Sequence, residues 1–318
     1  MSKGRIVFMG TPEFAVASLE ALIATGIEVA AVVTAPDKPA GRGRQLRKSA
    51  VKEAAVKHGL RILQPERLRD PAFLNELDAI SAELFVVVAF RMLPEAVWRK
   101  PALGTINLHA SLLPAYRGAA PINWAIMNGE TRTGATTFFI QETIDTGEIL
   151  DAVELDIGPE ENAGELHDRL MHAGADLLVG TVQRVLKGDR SSVPQPAIAV
   201  GLAVAPKLTP EACRIDWNGS ARKVHDFVRG LSPVPGAWTM MERSGAQLER
   251  FKILSTREYP EDRNAGTPGA VRIEGDALLV ACGSGWIAVI ELQPEGRKRM
   301  KAADFLRGAG PLNLIRFA

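Results

Sequence analysis

Short unbroken apolar runs alternate along this chain with stretches in which apolar positions recur every three or four residues. Arg5 to Met9 reads as a buried strand. Gly10-Thr11-Pro12 then turns the chain into a helix reaching about Ala24, with Pro12 where a first-turn proline is tolerated. Ile27 to Val33 is a second, β-branched strand, and Leu84 to Ala89 is continuously apolar, the pattern of a strand covered on both faces. Helical periodicity separates these strands, and that alternation predicts an α/β domain built on a doubly wound, mostly parallel sheet. Thr136 to Gln141 and Val153 to Ile157 read as further strands, and Asn162 to Leu186 as a long helix ending at Gly188. A looser stretch with Pro194, Pro196, Pro206 and Pro210 comes next. Beyond it, short strands punctuated by Gly and Pro, such as 269–273 and 286–290, predict a small β-barrel. The expected organisation is a first domain over 1–188, a linker over 189–206 and a second domain over 207–318.

One apolar strand carries chemistry. In Asn107-Leu108-His109-Ala110-Ser111-Leu112-Leu113-Pro114, residues two apart share a strand face. Thr105, Asn107 and His109 therefore project together, while Ile106, Leu108 and Ala110 face the other way. An amide donor, an imidazole and an adjoining loop at the carboxyl end of a strand suit polarising a carbonyl, and that end is where doubly wound sheets place their sites. Gly10 and Phe90-Arg91 fall at corresponding strand ends.

The bulk numbers narrow the class without setting it. Hydrophobic content of 46% with 24% charged residues is ordinary for a globular chain, and the net charge of +1 does not announce a polyanion. The charge is uneven, however: residues from 207 onward carry 17 Lys and Arg against 13 Asp and Glu, which permits contact with a nucleic acid. Two cysteines, Cys213 and Cys282, fit small buried residues in a reduced compartment rather than a disulfide framework. No metal-ligand spacing is present, and His167 and His172, five apart, read as solvated helix positions. The opening residues lead straight into a strand instead of a signal segment, and no apolar run approaches a membrane span, so a cytoplasmic enzyme is expected.

The residues after the Asn-x-His strand sharpen the picture. Ser111-Leu112-Leu113-Pro114 continues into Ala115-Tyr116-Arg117-Gly118, and Ile144-Asp145-Thr146-Gly147 lies further on. The three parts, in that order and spacing, resemble the folate-dependent formyltransferases. The resemblance implies a Rossmann-like catalytic domain, a C-terminal OB-like barrel and 10-formyltetrahydrofolate as co-substrate. It implies Asn107, His109 and Asp145 as the catalytic set, and their chemistry supplies the roles: Asn107 donates to the developing oxyanion, His109 stabilises the same oxygen or protonates the leaving N10, and Asp145 is the candidate base, able also to hold His109 in its useful tautomer. Ser111, Leu112, Leu113 and Pro114, with Phe90, Arg91, Met92 and Ile144, are the implied folate-pocket residues. Here Phe90-Arg91-Met92-Leu93-Pro94 is one residue shorter than the family's usual Tyr-Gly-x-Ile-Leu-Pro, with Arg in place of Gly.

Two basic segments point to the acceptor. Pro36-Asp37-Lys38-Pro39-Ala40-Gly41-Arg42-Gly43-Arg44-Gln45-Leu46-Arg47-Lys48 is similar to the loop that the tRNA-acting branch of this family inserts into the acceptor stem. Gln293-Pro294-Glu295-Gly296-Arg297-Lys298-Arg299-Met300, with Arg214-Ile215-Asp216-Trp217, resembles that branch's C-terminal domain. The implied partner is initiator Met-tRNA, contacted by Lys38, Arg42, Arg44, Arg47, Lys48, Arg297, Lys298 and Arg299. No protein partner, membrane or metal is expected, and the chain is expected to be a monomer. A sugar-nucleotide formyltransferase shares the catalytic set, and a non-catalytic OB-type nucleic-acid binder shares the barrel; the basic loop speaks against the first and Asn107, His109 and Asp145 against the second.

Overall fold

A computed structural model describes residues 4–40, 45–196, 201–243, 248–260, 266–308 and 315–318. The chain divides into two compact units: one of residues up to 118 with 133–155 and 167–204, the other of 119–132, 156–166 and 205–318.

The first unit begins with β1 (Arg5–Gly10), α1 (Glu13–Ala24), β2 (Glu28–Val33), β3 (Lys38–Ala40) and β4 (Gln45–Arg47). It continues through α2 (Ala50–Lys57), β5 (Ile62–Leu63), α3 (Pro71–Ile80), β6 (Leu84–Val88), α4 (Glu95–Trp98), β7 (Thr105–His109) and β8 (Arg117–Gly118). After α5 (Pro121–Met127), which lies in the other unit, come β9 (Arg132–Phe139), β10 (Ile149–Asp156) and the long helix α6 (Ala163–Leu186). Seven strands form one sheet in the order β10-β9-β7-β6-β1-β2-β5. From β5 to β7 the pairs are parallel, and β9 joins β7 antiparallel. The sheet is therefore doubly wound and mostly parallel, as the alternating pattern implies. From β1 the chain winds first to β2 and β5, then crosses back to β6 and β7. The reversal makes the carboxyl ends of β1 and β6 a topological switch point, where such sheets open a crevice.

Burial explains why these residues form these strands. Ile6, Val7, Phe8 and Met9 are wholly buried, so both sheet faces are covered, and alternate side chains serve opposite layers. Val7, Met9, Val33, Phe85 and Val87 pack with Phe73, Leu77 and Ile80 of α3 on one face. Each such side chain contributes roughly 1.5–3 kcal/mol by leaving water. Helix starts are set by side chains: Ser49 accepts from Lys52 N at 3.0 Å, and Asp70 from Ala72 N at 2.9 Å with Pro71 at the first helical position. Asn162 and Glu165 form a reciprocal capping box, Glu165 accepting from Asn162 N at 2.9 Å while Asn162 accepts from Glu165 N at 3.1 Å.

The basic segment expected as an open loop is instead a hairpin at its base, with Lys38 opposite Arg47 and Ala40 opposite Gln45. Asp37 anchors it, accepting from Lys52 at 2.6 Å and Gln64 at 2.9 Å, and these partners hold its carboxyl below the usual range. Arg42 and Arg44 lie outside the described residues.

β11 (Val204–Ala205) falls where the chain passes from the first unit to the second, in which α7 (Ala221–Gly230) precedes β12 (Ala237–Arg243), β13 (Glu249–Tyr259), β14 (Val271–Glu274) and β15 (Ala277–Ala281). The unit ends with β16 (Trp286–Pro294), β17 (Met300–Lys301), α8 (Ala302–Gly308) and β18 (Ile315–Phe317). The sheet runs β14-β15-β16-β13-β12-β18 with β17 on β16, and its described pairings are antiparallel. Phe317 N donates to Gly269 O at 2.8 Å, bringing β18 against the residues before β14, so the sheet nearly closes as an OB-like barrel. Its core holds Phe251, Ile253, Val280, Ile287, Leu292 and Phe317. Segment 156–166 is tied into this unit by the buried Arg229, which donates to Gly158 O at 3.1 Å and Glu161 O at 2.8 Å while pairing with the buried Asp226 at 2.7 Å.

No helix of the described residues is long and apolar enough to cross a membrane. Both cysteines are free and buried; burial raises the Cys213 thiol and pushes Cys282 up to about 12. Since the thiolate is the reactive form, iodoacetamide at pH 8 should leave both unlabelled in the native protein and label both after denaturation, counted by mass spectrometry. Labelling of either in the native state contradicts this burial. Gly134 sits inside β9 where a Cβ would lie 2.0 Å from Val153 O and 2.5 Å from a Leu112 methyl carbon. Gly134→Ala should therefore destabilise by ~1–3 kcal/mol or more, read as a lower midpoint in thermal or urea unfolding.

Candidate active site

The site grows from the carboxyl end of β7. Parallel pairing with β6 on one side and antiparallel pairing with β9 on the other fixes its register, with Asn107 beside Val87 and His109 opposite Thr136. Thr105, Asn107 and His109 share a face as the strand period requires. Thr105 spends its hydroxyl on Trp98 O at 2.7 Å. Asn107 is half-buried, and among the described residues its side-chain amide has no hydrogen-bond partner. His109 is buried.

The imidazole is held at one nitrogen and faces a carboxylate at the other. Its Nε2 lies 2.9 Å from the backbone oxygen of Tyr116. A carbonyl only accepts, so Nε2 carries the proton, and in the neutral ring Nδ1 keeps its lone pair. Nδ1 is 3.9 Å from Asp145 Oδ2, facing a carboxylate without a direct hydrogen bond in this geometry. In this geometry the hydrogen bond that orients the ring is the one to Tyr116. Asp145 Oδ2 accepts from Gly118 N at 3.0 Å. Both Tyr116 (φ 58°) and Asp145 (φ 53°) occupy the left-handed region, which costs an L-residue roughly 1–2 kcal/mol and needs surrounding contacts to persist.

Those contacts come partly from a residue that sequence patterning missed. Gln195, in the proline-rich stretch read as linker, donates from Nε2 to Asp145 O at 3.0 Å and to Gly147 O at 2.8 Å. Its Oε1 accepts from Arg117 Nε at 3.2 Å and from Arg117 Nη2. Gly147 closes the turn where no other residue fits, since a Cβ would lie 1.6 Å from Phe139 O. No periodicity marks Gln195; its only sequence sign is a polar residue between Pro194 and Pro196.

The loop after β7 is stitched by its own polar groups. Ser111 Oγ donates to Ala115 O at 2.7 Å, so this buried hydroxyl shapes the loop. Thr136 Oγ1 donates to Ser111 O at 2.7 Å and accepts from Leu113 N at 3.2 Å. Leu113 is buried, Leu112 and Pro114 are half-buried, and the Leu113–Pro114 peptide is cis. After β6, the shortened loop has a definite path: Arg91 donates to Glu66 O at 2.9 Å and to Pro65 O, and its guanidinium lies 5.6 Å from the Phe90 ring centre. Burial pushes the Arg91 guanidinium below its ordinary pKa. Met92 and Ile144 are left 73% and 53% exposed, an unusual state for large apolar side chains beside strand ends.

The residues expected to meet a polyanion stand apart from this cluster in sequence and setting. Lys38, Arg47 and Lys48 are exposed on or beside the hairpin. Arg297, Lys298 and Arg299 are exposed on the turn between β16 and β17, but Arg299 is paired with Glu291, which leaves Arg297 and Lys298 as the cations without a described partner. Among the described residues no group of His, Cys, Asp and Glu is arranged to hold a metal.

Comparison with known proteins places the fold and the chain. Residues 4–182 match the formyl transferase family model and 207–310 the formyl transferase C-terminal domain model. A methionyl-tRNA formyltransferase of Bacteroides fragilis is 48% identical over 307 residues, 96% of this chain and 94% of that relative. The Parabacteroides distasonis methionyl-tRNA formyltransferase is 48% identical over 96% of this chain and 95% of its own length. Among solved structures, Aquifex aeolicus HypX in complex with tetrahydrofolic acid superposes with a TM-score of 0.63 at 18% identity, over 96% of this chain and 47% of HypX. A Helicobacter canadensis N-formyltransferase with folinic acid and dTDP-3-aminofucose gives 0.62 at 17% identity, over 91% of this chain and 98% of its own. These two likenesses speak to fold alone. With both domain models matched across most of its length and relatives near half-identical, the chain belongs to the formyl transferase family, on its methionyl-tRNA branch.

Proposed function

We propose that this chain transfers the formyl group of 10-formyltetrahydrofolate to the α-amino group of methionine esterified to initiator tRNA. The observation that carries the reading is the juxtaposition of Asn107, His109 and Asp145 at one strand end, in a chain 48% identical over 96% of its length to methionyl-tRNA formyltransferases.

The chemistry asks little beyond polarisation and proton movement. The amine attacks the formyl carbon, a C–N bond forms, and charge develops on the formyl oxygen. The amide of Asn107, without a partner among the described residues, donates to that oxygen. Asp145, directly or through water, takes the proton the amine must lose. The bond to N10 of the folate then breaks, and N10 leaves with a proton. That proton is the one Asp145 took from the amine, relayed through His109 Nδ1, the ring nitrogen left open because Nε2 is committed to Tyr116 O. When protonated, Nδ1 faces the Asp145 carboxylate at 3.9 Å, which stabilises the imidazolium. The exposed Met92 and Ile144, with half-buried Phe90, offer apolar surface to a flat pterin, and the Ser111–Pro114 loop offers backbone groups. Lys38, Arg47 and Lys48 on or beside the hairpin, Arg42 and Arg44 in the sequence between its strands, and Arg297 and Lys298 on the barrel turn supply cations for RNA phosphates.

Incubation with 10-formyltetrahydrofolate and Met-charged initiator tRNA should yield formyl-Met, and an amino-sugar nucleotide offered as competing acceptor should not be formylated. Formylation of the sugar alone reverses the assignment. Asn107→Ala, His109→Ala and Asp145→Ala should each lower kcat by ~10²–10³ in a folded protein, with combined losses below the product of the single ones. Near-normal turnover in one of them removes that residue from the mechanism. Arg297→Ala with Lys298→Ala should weaken tRNA binding and reduce its salt slope by up to ~0.9 for each phosphate no longer engaged, while adding Arg299→Ala should change little more. Arg42→Ala should impair formylation of Met-tRNA and leave folate binding intact; unchanged kinetics would make the hairpin a solvated surface feature.

A further inference from the structure

We propose that Gln195 is a positioning residue for formyl transfer: its amide, oriented by Arg117, holds the Asp145–Gly147 turn so that the Asp145 carboxylate faces His109. The inference rests on the reading of Asp145 as a reacting group.

A glutamine amide has a donor end and an acceptor end, and here each has a complementary partner. Arg117 only donates. Facing it, Oε1 accepts from Nε at 3.2 Å and from Nη2, so the NH₂ end must turn toward the two carbonyls of Asp145 and Gly147, at 3.0 and 2.8 Å. A flipped amide would set donors against the guanidinium and an oxygen against two carbonyl oxygens. Arg117 thereby selects the one orientation that can grip the turn. The gripped carbonyls bracket Thr146 and belong to a turn whose first residue, Asp145, sits at φ 53°.

The segment bearing Gln195 is built to present that amide. Pro194 fixes its own φ, and Pro196 restricts Gln195 to extended backbone, so little freedom is lost on placing it. Two residues earlier Val193 and Ile149 exchange both backbone hydrogen bonds at 2.8 Å, and Ser192 Oγ donates to Glu148 at 2.5 Å. Tyr116 N donates to Ala203 O at 2.7 Å further along. The segment Tyr116–Gly118 then touches every party: its carbonyl at 116 receives His109, its guanidinium at 117 orients Gln195, and its amide at 118 donates to Asp145. A shift at Gln195 would be felt by both halves of the His109–Asp145 pair.

A plain staple between Arg117 and the proline-rich segment would look similar, and two substitutions separate the readings. Gln195→Glu keeps, and strengthens, the bond to Arg117 but turns an oxygen toward the two carbonyls. Gln195→Leu removes every hydrogen bond while keeping the bulk. If Gln195 positions Asp145, both variants lose kcat by roughly 10²-fold, as misplacement of a reacting group does. The KM values for 10-formyltetrahydrofolate and Met-tRNA should stay within about twofold. The Gln195→Glu variant should unfold at or above the wild-type temperature. Its crystal structure should show Asp145 out of the left-handed region and the Nδ1–Oδ2 separation moved from 3.9 Å. A Gln195→Glu variant with wild-type kcat, or with Asp145 unmoved in the crystal, overturns the proposal; the crystallographic arm does so without turnover, even if the Gln195→Leu variant fails to fold. Absence of wild-type formylation would instead refute the assigned reaction.

Discussion

The arrangement of the site depends on one three-residue segment, Tyr116-Arg117-Gly118, held in a conformation that its own backbone disfavours. Tyr116 is in the left-handed region, and only there does its carbonyl meet the imidazole of His109 while the next peptide N–H but one reaches Asp145. A carbonyl and an amide a few bonds apart thus fix an imidazole and a carboxylate relative to each other. Distances set this way vary little, because the peptide units between them are rigid. The side chains of His109 and Asp145 supply the titratable groups, whereas the main chain supplies their geometry.

That segment can be so placed because the sheet beneath it is stiff. β7 is bordered on both sides, and residues of β1, β6 and β9 around it are almost wholly excluded from water. A strand with two neighbours and a filled pleat cannot slip by one residue without turning every side chain to the wrong face. The burial that stabilises the unit therefore also keeps Asn107 and His109 on the same side of the sheet, with Thr136 across from His109 to brace the loop beyond it.

Much of this was legible in the amino-acid sequence, and the limits have physical causes. β1, β2 and β6 show as apolar runs because both of their faces are buried, and α6 begins where Asn162 and Glu165 can satisfy its first amides. Asn107 and His109 are readable together because strand geometry is periodic. Tyr116 is not readable, since it acts through a carbonyl that every residue possesses. Gln195 is not readable either: its partners lie about fifty and eighty residues away and two of them are backbone oxygens. The hairpin under the basic segment escaped for another reason, Pro39 and the flanking glycines favouring a loop reading, while the pairing that forms it is only three residues long. Arg91, an oddity in sequence, donates to the carbonyls of Pro65 and Glu66, some twenty-five residues away, partners that no local pattern announces.

The barrel's two interior thiols have a practical side. Because Cys213 and Cys282 are enclosed among apolar neighbours and their thiols resist ionisation, the natural chain is in effect cysteine-free to a reagent in solution. A single cysteine introduced on the exposed turn at Glu295 would then be the one handle on the surface of that unit. A fluorophore or spin label could be attached there without first replacing either native residue, and the approach of an RNA to the barrel could be followed from the protein's side in an otherwise unaltered molecule.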